Sequence, residues 1–411
     1  MRINIHFQKI EDMSKSEKQT ILFMIFSPLF VKGGHSKNFL NLIKHLSGEF
    51  SDSKTQNIII SYNNSGKKVR EHKKQIHEIQ YFKPYLVDFR NRLFPSGNSI
   101  FQLFEFMLNF VRTFYVLMMY RPRTVYCYAD MPLMLSFFWK KVLGFRLLFD
   151  MRGDIINEMQ VQKKNPVKLN AVKIINHYAR SKADLIFSVS SSFISRGKIK
   201  IYPKYNYYDG KIFKYNEEWS KSVRKEMDLD NKFVFVYTGN AHYYQMIEEN
   251  LRFFGQFYNQ YPDSYLIIIT EYDHDKFLDI LKNNKVPESA FLIKSLPQHK
   301  ISELQSVADI GLLIRDNLPL NHHSFPTKFS EYLASGVPVL MTPHIHSIAP
   351  LVIKDDLGQV IGLKEHYNDE IENIHNRFLK NYDLKNRCSN YAKEHLMWQK
   401  KAHDIFQIIN Q

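Results

Sequence analysis

The chain of 411 residues repeats one local pattern: a short apolar run of strand length, then a turn, then a helical segment. The pattern is clearest between residues 309 and 341. There DIGLLI forms one apolar run, a polar loop follows, a helix begins near Pro326, and Gly336 leads into a second apolar run, VPVLM. Strands that alternate with helices in this way predict parallel sheets covered by helices. We therefore expect an α/β fold.

Charged side chains follow the first of these strands. The loop carries Arg315, the helix entry carries Lys328, and Glu331 lies three residues further on nearly the same helix face. In an open parallel sheet, the loop at the carboxyl end of a strand and the helix after it form the usual ligand crevice. Two cations beside a helix N-terminus suit a diphosphate, and a carboxylate one turn along can accept hydrogen bonds from a ribose diol. The pattern predicts a site for a ribose-linked diphosphate.

The segment FPTKFSEYLASGVPVL, residues 325–340, resembles the donor-binding segment of glycosyltransferase family 4. That family contains retaining transferases of the GT-B fold that use nucleotide sugars. A strand ending in Arg, followed by P-x-K-x-x-E-Y-L-A-x-G-x-P-V, is similar to its bacterial capsule and lipopolysaccharide members. The resemblance implies that Arg315 and Lys328 neutralise the donor diphosphate and that Glu331 holds the ribose.

One position departs from the family pattern. Many members carry a second Glu seven residues before the ribose-binding one, and it contacts the donor sugar. Here that position is Ser324. The resemblance therefore leaves the identity of the sugar open.

Two glycine turns follow predicted strands. Gly33 and Gly34 come after residues 21–26, and Gly239 with Asn240 comes after residues 233–238. Such glycines either form an ordinary tight turn or let backbone approach a phosphate closely. The resemblance implies that both turns line the donor diphosphate.

Further donor contacts are expected around these turns. His242 is a candidate phosphate or hydroxyl contact, with an ordinary helix-capping role as the alternative. The resemblance places Leu296 where the family contacts the base through backbone groups. The predicted donor-binding residues are Gly33, Gly34, Gly239, Asn240, His242, Leu296, Ser324, Pro326, Thr327 and Glu331.

A second charged loop follows the predicted strand at residues 146–150. It reads Asp150-Met151-Arg152-Gly153-Asp154, with Glu158 four residues later. In capsule-type relatives, D-x-R-G followed by Glu lies on the acceptor side. Asp150 or Asp154 can orient an acceptor hydroxyl and Arg152 can hold an anionic group; an Arg–Asp pair that caps the loop is the alternative. The predicted catalytic residues are Arg315, Lys328, Asp150 and Arg152, and the predicted acceptor-side residues are Asp154 and Glu158.

The length suits two domains. We predict an acceptor-side Rossmann-like domain in residues 1–205, a nucleotide-sugar-binding Rossmann-like domain in residues 206–393, and a C-terminal helix in residues 394–411. The resemblance implies a GT-B arrangement in which the two domains face a central cleft and this helix crosses back to the first domain.

Charge is unevenly distributed along the chain. The net charge is +15, and residues 1–200 hold 32 Lys and Arg against 14 Asp and Glu, a balance of +18. A basic N-terminal half can attract an anionic membrane surface, a lipid diphosphate or nucleic acid. The alternative is that its lysines are solvated surface residues that reflect only the overall composition of the chain. No recognised nucleic-acid motif is present. The apolar helix predicted at residues 100–120 is either a buried helix or one that lies in a membrane interface.

These features together predict a cytoplasmic protein, peripheral at the inner face of the cell membrane. Cys127 and Cys388 are far apart, which suggests a reduced compartment, and the polar N-terminus does not resemble a signal peptide. The expected reaction moves a sugar from a nucleotide sugar to a lipid-linked saccharide in capsule or lipopolysaccharide synthesis.

No cofactor or metal ion is expected. The acidic triplet Asp273-His274-Asp275 follows a predicted strand, but it lies outside the family motifs and is not predicted to bind a metal ion. The alternatives are a sugar-nucleotide epimerase of the same architecture, a basic nucleic-acid-binding protein, and a catalytically silent family member.

Overall fold

The structure is a computed structural model that describes residues 20–26, 34–50, 56–63, 82–88, 99–153, 155–161, 166–189, 199–271 and 274–411. The described residues form two sheets, of seven and six strands. Each sheet is described separately below.

The first sheet has the strand order β3-β2-β1-β4-β5-β6-β7. The inner strand β1 pairs in parallel with β2 and β4, so that Phe23 lies opposite Ile59 and Tyr126. All six residues of β1 are buried, as expected of a parallel sheet covered on both faces. The strands are β1 (Thr20–Ile25), β2 (Gln56–Asn63), β3 (Phe82–Asp88), β4 (Thr124–Tyr128), β5 (Arg146–Met151), β6 (Leu185–Ser188) and β7 (Lys200–Pro203).

Among the described residues, helices lie between several of these strands along the chain, as parallel pairing requires. They are α1 (Gly34–Glu49), α2 (Ser99–Tyr120), α3 (Asp130–Leu143), α4 (Ile155–Val161) and α5 (Pro166–Ser181). The helix α3 ends at Gly144, whose φ of 75° is the left-handed conformation that glycine adopts without strain.

The second sheet has the order β10-β9-β8-β11-β12-β13. Counted from its own first strand, this is the Rossmann order 3-2-1-4-5-6, in which the chain reverses direction across the sheet between β8 and β11. The strands are β8 (Phe233–Thr238), β9 (Ser264–Ile269), β10 (Phe291–Lys294), β11 (Ile310–Leu313), β12 (Val339–Met341) and β13 (Gly358–Val360).

Nine helices of four or more residues and two short 3-10 turns accompany this sheet among the described residues. The helices are α6 (Glu217–Glu226), α7 (Ile247–Gln260), α8 (His274–Asn283), α9 (Gln298–Ser306), α10 (Pro319–His322), α11 (Thr327–Ala334), α12 (Ala349–Lys354), α13 (Asn368–Phe378) and α14 (Tyr382–His395), and the 3-10 turns are Tyr243–Gln245 and Glu288–Ala290. A final helix, α15 (Trp398–Asn410), follows.

The chain forms two compact units. The first contains Met1–Phe149, Tyr178–Asp184 and Ile408–Gln411, and the second contains Asp150–His177 and Leu185–Gln407. The end of α15 therefore belongs to the first unit. The domain limits predicted from the sequence, with boundaries after residues 205 and 393, stay a prediction.

Most predicted elements are confirmed, and one strand was missed. The strand at residues 233–238 has the predicted limits, and the predicted C-terminal helix corresponds to α15. The missed strand is β3, which contains Pro84 and lies at the edge of the first sheet. Proline cannot donate to a sheet ladder and is tolerated at edges, so the composition of this segment gave a weak strand signal.

Candidate nucleotide-sugar donor site

Two strand ends meet at the point where the second sheet reverses its strand order. β8 ends at Thr238 and leads into Gly239 and Asn240, while β11 ends at Leu313 and leads through Ile314 to Arg315. β8 and β11 are neighbours with parallel pairing, so their carboxyl ends lie at the same edge. Ligands of open α/β sheets bind outside this edge, at this reversal.

Buried polar side chains fix the backbone at the end of β11. The Asn250 amide accepts from the Ile314 N–H and donates to the Ile314 carbonyl, both at 3.1 Å. The Thr342 hydroxyl, just beyond β12, accepts from the Arg315 N–H at 3.0 Å and donates to its carbonyl at 2.5 Å. The position of Arg315 is therefore held from two neighbouring elements.

The Arg315 side chain is buried, with 3% of its surface exposed. Its guanidinium donates to the Tyr244 carbonyl at 3.0 Å and lies 5.9 Å from the centre of the Tyr244 ring. The turn that carries Tyr244 is tied to β11 by Asn250, which also donates to the Gln245 and Met246 carbonyls. One asparagine thus aligns both the arginine and the turn beside it.

Lys328 enters the same region from the first turn of α11. It is 8% exposed, donates to Gln245 Oε1 at 2.9 Å, and its ammonium lies 4.3 Å from the centre of the Tyr237 ring. Tyr237 comes from β8 and its hydroxyl donates to the Asn240 carbonyl at 2.8 Å. The hydrogen-bond and ring partners of Lys328 in the described structure are therefore neutral groups.

The electrostatics of the two cations are unfavourable without a ligand. Burial and the charge of Arg315 lower the pKa of Lys328 well below its ordinary value, and the opposing effect of Glu331 is smaller. Burial likewise lowers the pKa of the Arg315 guanidinium. Two buried cations that destabilise each other mark a place where an anion is bound favourably.

Gly239 brings backbone close to Lys328. Its φ of 132° is disfavoured for other residues, and a Cβ built on it would lie 3.2 Å from the Lys328 ammonium nitrogen. The Tyr332 hydroxyl, from α11, accepts from the Thr238 N–H at 2.8 Å and holds this loop against the helix. Close approach of this backbone to a phosphate, the role predicted for this glycine, stays a prediction.

The remaining predicted donor residues of this segment lie around the N-terminus of α11. Glu331 is buried, with 7% exposure, one turn along the helix. Pro326 occupies the N-cap position with φ −60°, and Thr327 begins the helix. Ser324 lies in the preceding turn, where its hydroxyl donates to the Asn321 carbonyl at 2.9 Å and its carbonyl accepts from Ser347.

Two further predicted contacts lie at the carboxyl edge of the same sheet. His242 is exposed, and its ring stacks on Tyr244 with centres 5.7 Å apart. Leu296 follows β10 and is partly buried against the core. Their roles in donor binding stay predictions.

The predicted catalytic pair Asp150 and Arg152 lies in a buried ion-pair network. Asp150 is fully buried and its carboxylate contacts Lys204 at 2.8 Å and the Arg152 side chain at 2.8 and 2.9 Å. Arg152 also donates to Asn206 Oδ1 at 2.7 Å, and Asn206 Nδ2 donates to the Phe325 carbonyl at 2.5 Å. The network therefore reaches the turn that precedes Lys328.

Four predicted residues cannot be placed in a site. Gly33 and Asp154 lie outside the described residues, as does Asp273 of the acidic triplet. Gly34 is the first residue of α1, and Glu158 lies in α4 with its side chain outside the description. Among the described residues, no group of three or more His, Cys, Asp and Glu side chains is arranged to hold a metal ion.

Sequence reasoning missed the neutral partners of the cations. Gln245 and Tyr237 contact Lys328, and Asn250 holds the backbone of Ile314 beside Arg315, yet they lie 64 to 91 positions before these partners in the chain. Nothing local in the sequence indicates that Gln245 would reach Lys328.

Comparisons with known proteins support a transferase. Residues 220–395 match the family model described as Glycosyl transferases group 1. Three solved structures share the fold over nearly the whole chain. Anabaena Alr3699/HepE in complex with UDP has a TM-score of 0.68 at 13% identity, covering 95% of this chain and 100% of that one.

The second is sucrose-phosphate synthase from Thermosynechococcus elongatus, with a TM-score of 0.72 at 12% identity and coverage of 96% and 99%. The third is WaaG, a glycosyltransferase involved in lipopolysaccharide biosynthesis, with a TM-score of 0.63 at 13% identity and coverage of 95% and 99%. No curated protein matches the sequence significantly.

The prediction of an α/β, GT-B fold with two Rossmann-like halves is confirmed. The family match and the shared fold support a glycosyltransferase of group 1.

Proposed function

We propose that this protein is a retaining glycosyltransferase that moves a sugar from a nucleoside-diphosphate sugar to a saccharide acceptor. One observation carries the proposal: Arg315 and Lys328 are buried together at the carboxyl edge of the second sheet, with neutral hydrogen-bond partners. A diphosphate at this place would remove the mutual destabilisation of the two cations and receive charge-assisted hydrogen bonds from both.

The same arrangement suits the chemical step. As the bond to the sugar breaks, negative charge grows on the departing diphosphate, and fixed cations in a water-poor site stabilise that charge most. Arg315 and Lys328 act here in place of a metal ion, so we expect transfer without one. Glu331, buried one turn along α11, is positioned to accept from the ribose hydroxyls.

The comparisons favour the same donor class. The Anabaena Alr3699/HepE structures are described as complexes with UDP, with UDP and glucose, and with UDP-glucose. We therefore choose UDP sugars as the first probes. The sugar itself stays open, because Ser324 stands where many family members carry the sugar-binding Glu.

The acceptor and location follow from the charge distribution and the relatives. We propose a lipid-linked saccharide acceptor at the inner face of the cell membrane, in capsule or lipopolysaccharide synthesis. The excess of +18 in residues 1–200 favours an anionic surface, and WaaG, which has the same fold, is described as acting in lipopolysaccharide biosynthesis.

A thermal-shift screen of nucleotide sugars tests the donor site. We expect one class of donor to raise the melting temperature of the wild type, and Lys328→Ala and Glu331→Ala to reduce or abolish that rise. Equal stabilisation of all three proteins would show that the donor binds elsewhere. Incubating the donor without acceptor checks the alternative, since an epimerase would convert it to an isomeric nucleotide sugar.

Lys385 provides a matched control. It is also a buried lysine of the second unit, and burial lowers its pKa to about 8. It donates to the Ala308 carbonyl, which precedes β11, whereas the donor site lies beyond the other end of that strand. Lys385→Met should therefore change the melting temperature but keep the donor-induced rise.

A further inference from the structure

The helix α2 exposes a continuous apolar stripe in the first unit. Its members recur every three or four positions and range from 36% to 63% exposed: Leu103, Met107, Leu108, Val111, Tyr115 and Met118. The segment Leu103–Tyr120 is long and apolar enough to cross a membrane by length and composition, and 22% of it is buried. Of the two alternatives that the sequence left open, a buried helix does not describe this face.

The opposite face of α2 is packed against protein. Asn109, Thr113, Leu117 and Tyr120 are buried, and the rings of Phe110 and Phe114 lie 4.5 and 4.3 Å from the centre of the Trp139 ring on α3. A helix that inserted across a bilayer would lose these contacts. The geometry instead suits a helix that lies flat, with a stripe of about 27 Å presented to one side.

The neighbouring helix extends the same kind of surface. Phe138 and Val142 of α3 are 53% and 61% exposed, and the Phe138 ring lies 5.8 Å from that of Phe110. Contiguous exposed apolar surface of this extent is uncommon on a soluble monomer and marks a site of association.

Basic side chains accompany this surface. Between residues 99 and 146 the sequence has six Lys and Arg against two Asp and Glu, and Glu105 is the one acidic residue of α2. Arg121 and Lys141 are exposed, at the C-terminal end of α2 and beside Val142 respectively. Other cations of this unit have partners: Lys140 of α3 pairs with Asp184, Arg180 of α5 pairs with Asp130, and Arg146 of β5 donates to the Ile408 carbonyl.

The positive charge beside the apolar stripe indicates which kind of partner the stripe binds. A second copy of the chain would bring like charges, Arg121 and Lys141 among them, towards each other, and their repulsion opposes association. An anionic lipid surface supplies both opposite charge for the cations and an apolar layer for the stripe. We propose that α2 docks the protein on an anionic membrane, lying in the boundary between headgroups and acyl chains.

Only the purpose of this docking rests on the proposed function: it would bring the donor site to a lipid-linked acceptor. The binding itself needs no donor and no catalysis. It can therefore fail or succeed independently of the glycosyltransferase assignment.

Vesicle flotation of the full chain tests the proposal. The vesicles contain equal parts phosphatidylglycerol and phosphatidylcholine, with pure phosphatidylcholine for comparison. We expect the wild type to float with the anionic vesicles and the double variant Met107→Glu/Val111→Glu to bind them at least about tenfold more weakly. The matched pair Met107→Leu/Val111→Leu should bind like the wild type.

Two further variants separate apolar from electrostatic contributions. Ile353→Glu, a change at a 70% exposed apolar residue of α12, should leave vesicle binding unchanged. Arg121→Glu/Lys141→Glu should weaken binding and flatten its dependence on salt. Thermal melts and the donor-induced shift, measured on every variant, show whether each is folded and whether the donor site is intact.

Three results would overturn the proposal. One is absence of wild-type binding to anionic vesicles, and another is equal binding by the Met107→Glu/Val111→Glu variant. The third is a wild-type dimer in lipid-free solution that the same variant converts to monomer, since the stripe would then be an interface between copies. A normal donor shift beside any of these results would leave the proposed function standing.

Discussion

Replacing Lys328 by methionine tests the central electrostatic argument. The lysine is buried beside Arg315, and burial together with that charge lowers its pKa well below the ordinary value of 10.5. Methionine fills a similar volume without charge. Because the change removes a charge that the free protein holds unfavourably, Lys328→Met should melt at the same or a higher temperature than the wild type at pH 7.

Donor binding should respond in the opposite direction. A hydrogen bond from a charged donor contributes about 1.5–3 kcal/mol, so its loss should weaken nucleotide-sugar binding roughly 10-fold to 150-fold. Isothermal titration calorimetry with the nucleotide sugar that gives the largest thermal shift measures this. The combination of unchanged or raised stability with weakened binding is what distinguishes a binding lysine from a structural one.

The pH dependence supplies a second, signed test. Because the pKa of Lys328 is lower in the free folded protein than in the unfolded chain, its charge penalises folding below the lowered value, and the penalty disappears as pH rises towards 10.5. A bound diphosphate would raise that pKa again. Above the lowered value, binding must take up a proton, so affinity should fall by up to about tenfold per pH unit.

Variants that do not titrate complete the test. Lys328→Met and Lys328→Arg should both lose this pH dependence, and the arginine variant should keep part of the affinity, because arginine stays charged throughout. The reasoning is refuted if wild-type affinity is flat with pH, or if Lys328→Met follows the same slope as the wild type.

Three further changes test the surrounding structure. Gly239→Ala places a side chain at a φ of 132° and should destabilise by about 1–3 kcal/mol in urea unfolding, with weaker donor binding; an unaffected variant would show that this loop relaxes freely. Asp150→Ala leaves Lys204 buried without its carboxylate and should cost about 3–5 kcal/mol, whereas a mild effect would contradict the ion-pair network. Cys127 and Cys388 are buried, which raises the pKa of both thiols to about 12, so a thiol reagent should modify neither until the protein unfolds; rapid labelling of the native protein would contradict their burial.

Local patterns predicted most of the fold. The strand at residues 233–238 and the helix at the C-terminus follow from apolar runs and helical spacing, which depend on neighbours only a few residues apart. The edge strand β3 escaped because Pro84 weakens its local signal, while its pairing with β2 stabilises it from outside the segment. For α2 the sequence left a buried and an interfacial helix open, because composition does not say which face of a helix finds a partner.

The sequence by itself placed Arg315 after a strand and put Lys328 and Glu331 on one turn of helix, because strand ends and helical spacing are local properties. Only the tertiary structure decided that Gln245 and Tyr237 meet Lys328, and that Asn250 aligns Arg315 with the turn beside it. Those contacts join residues 64 to 91 positions apart, and they form because parallel strands gather distant loops at one edge of the sheet. Because these loops meet at one edge of the sheet, they bury both cations, and the proposed donor site follows from that burial.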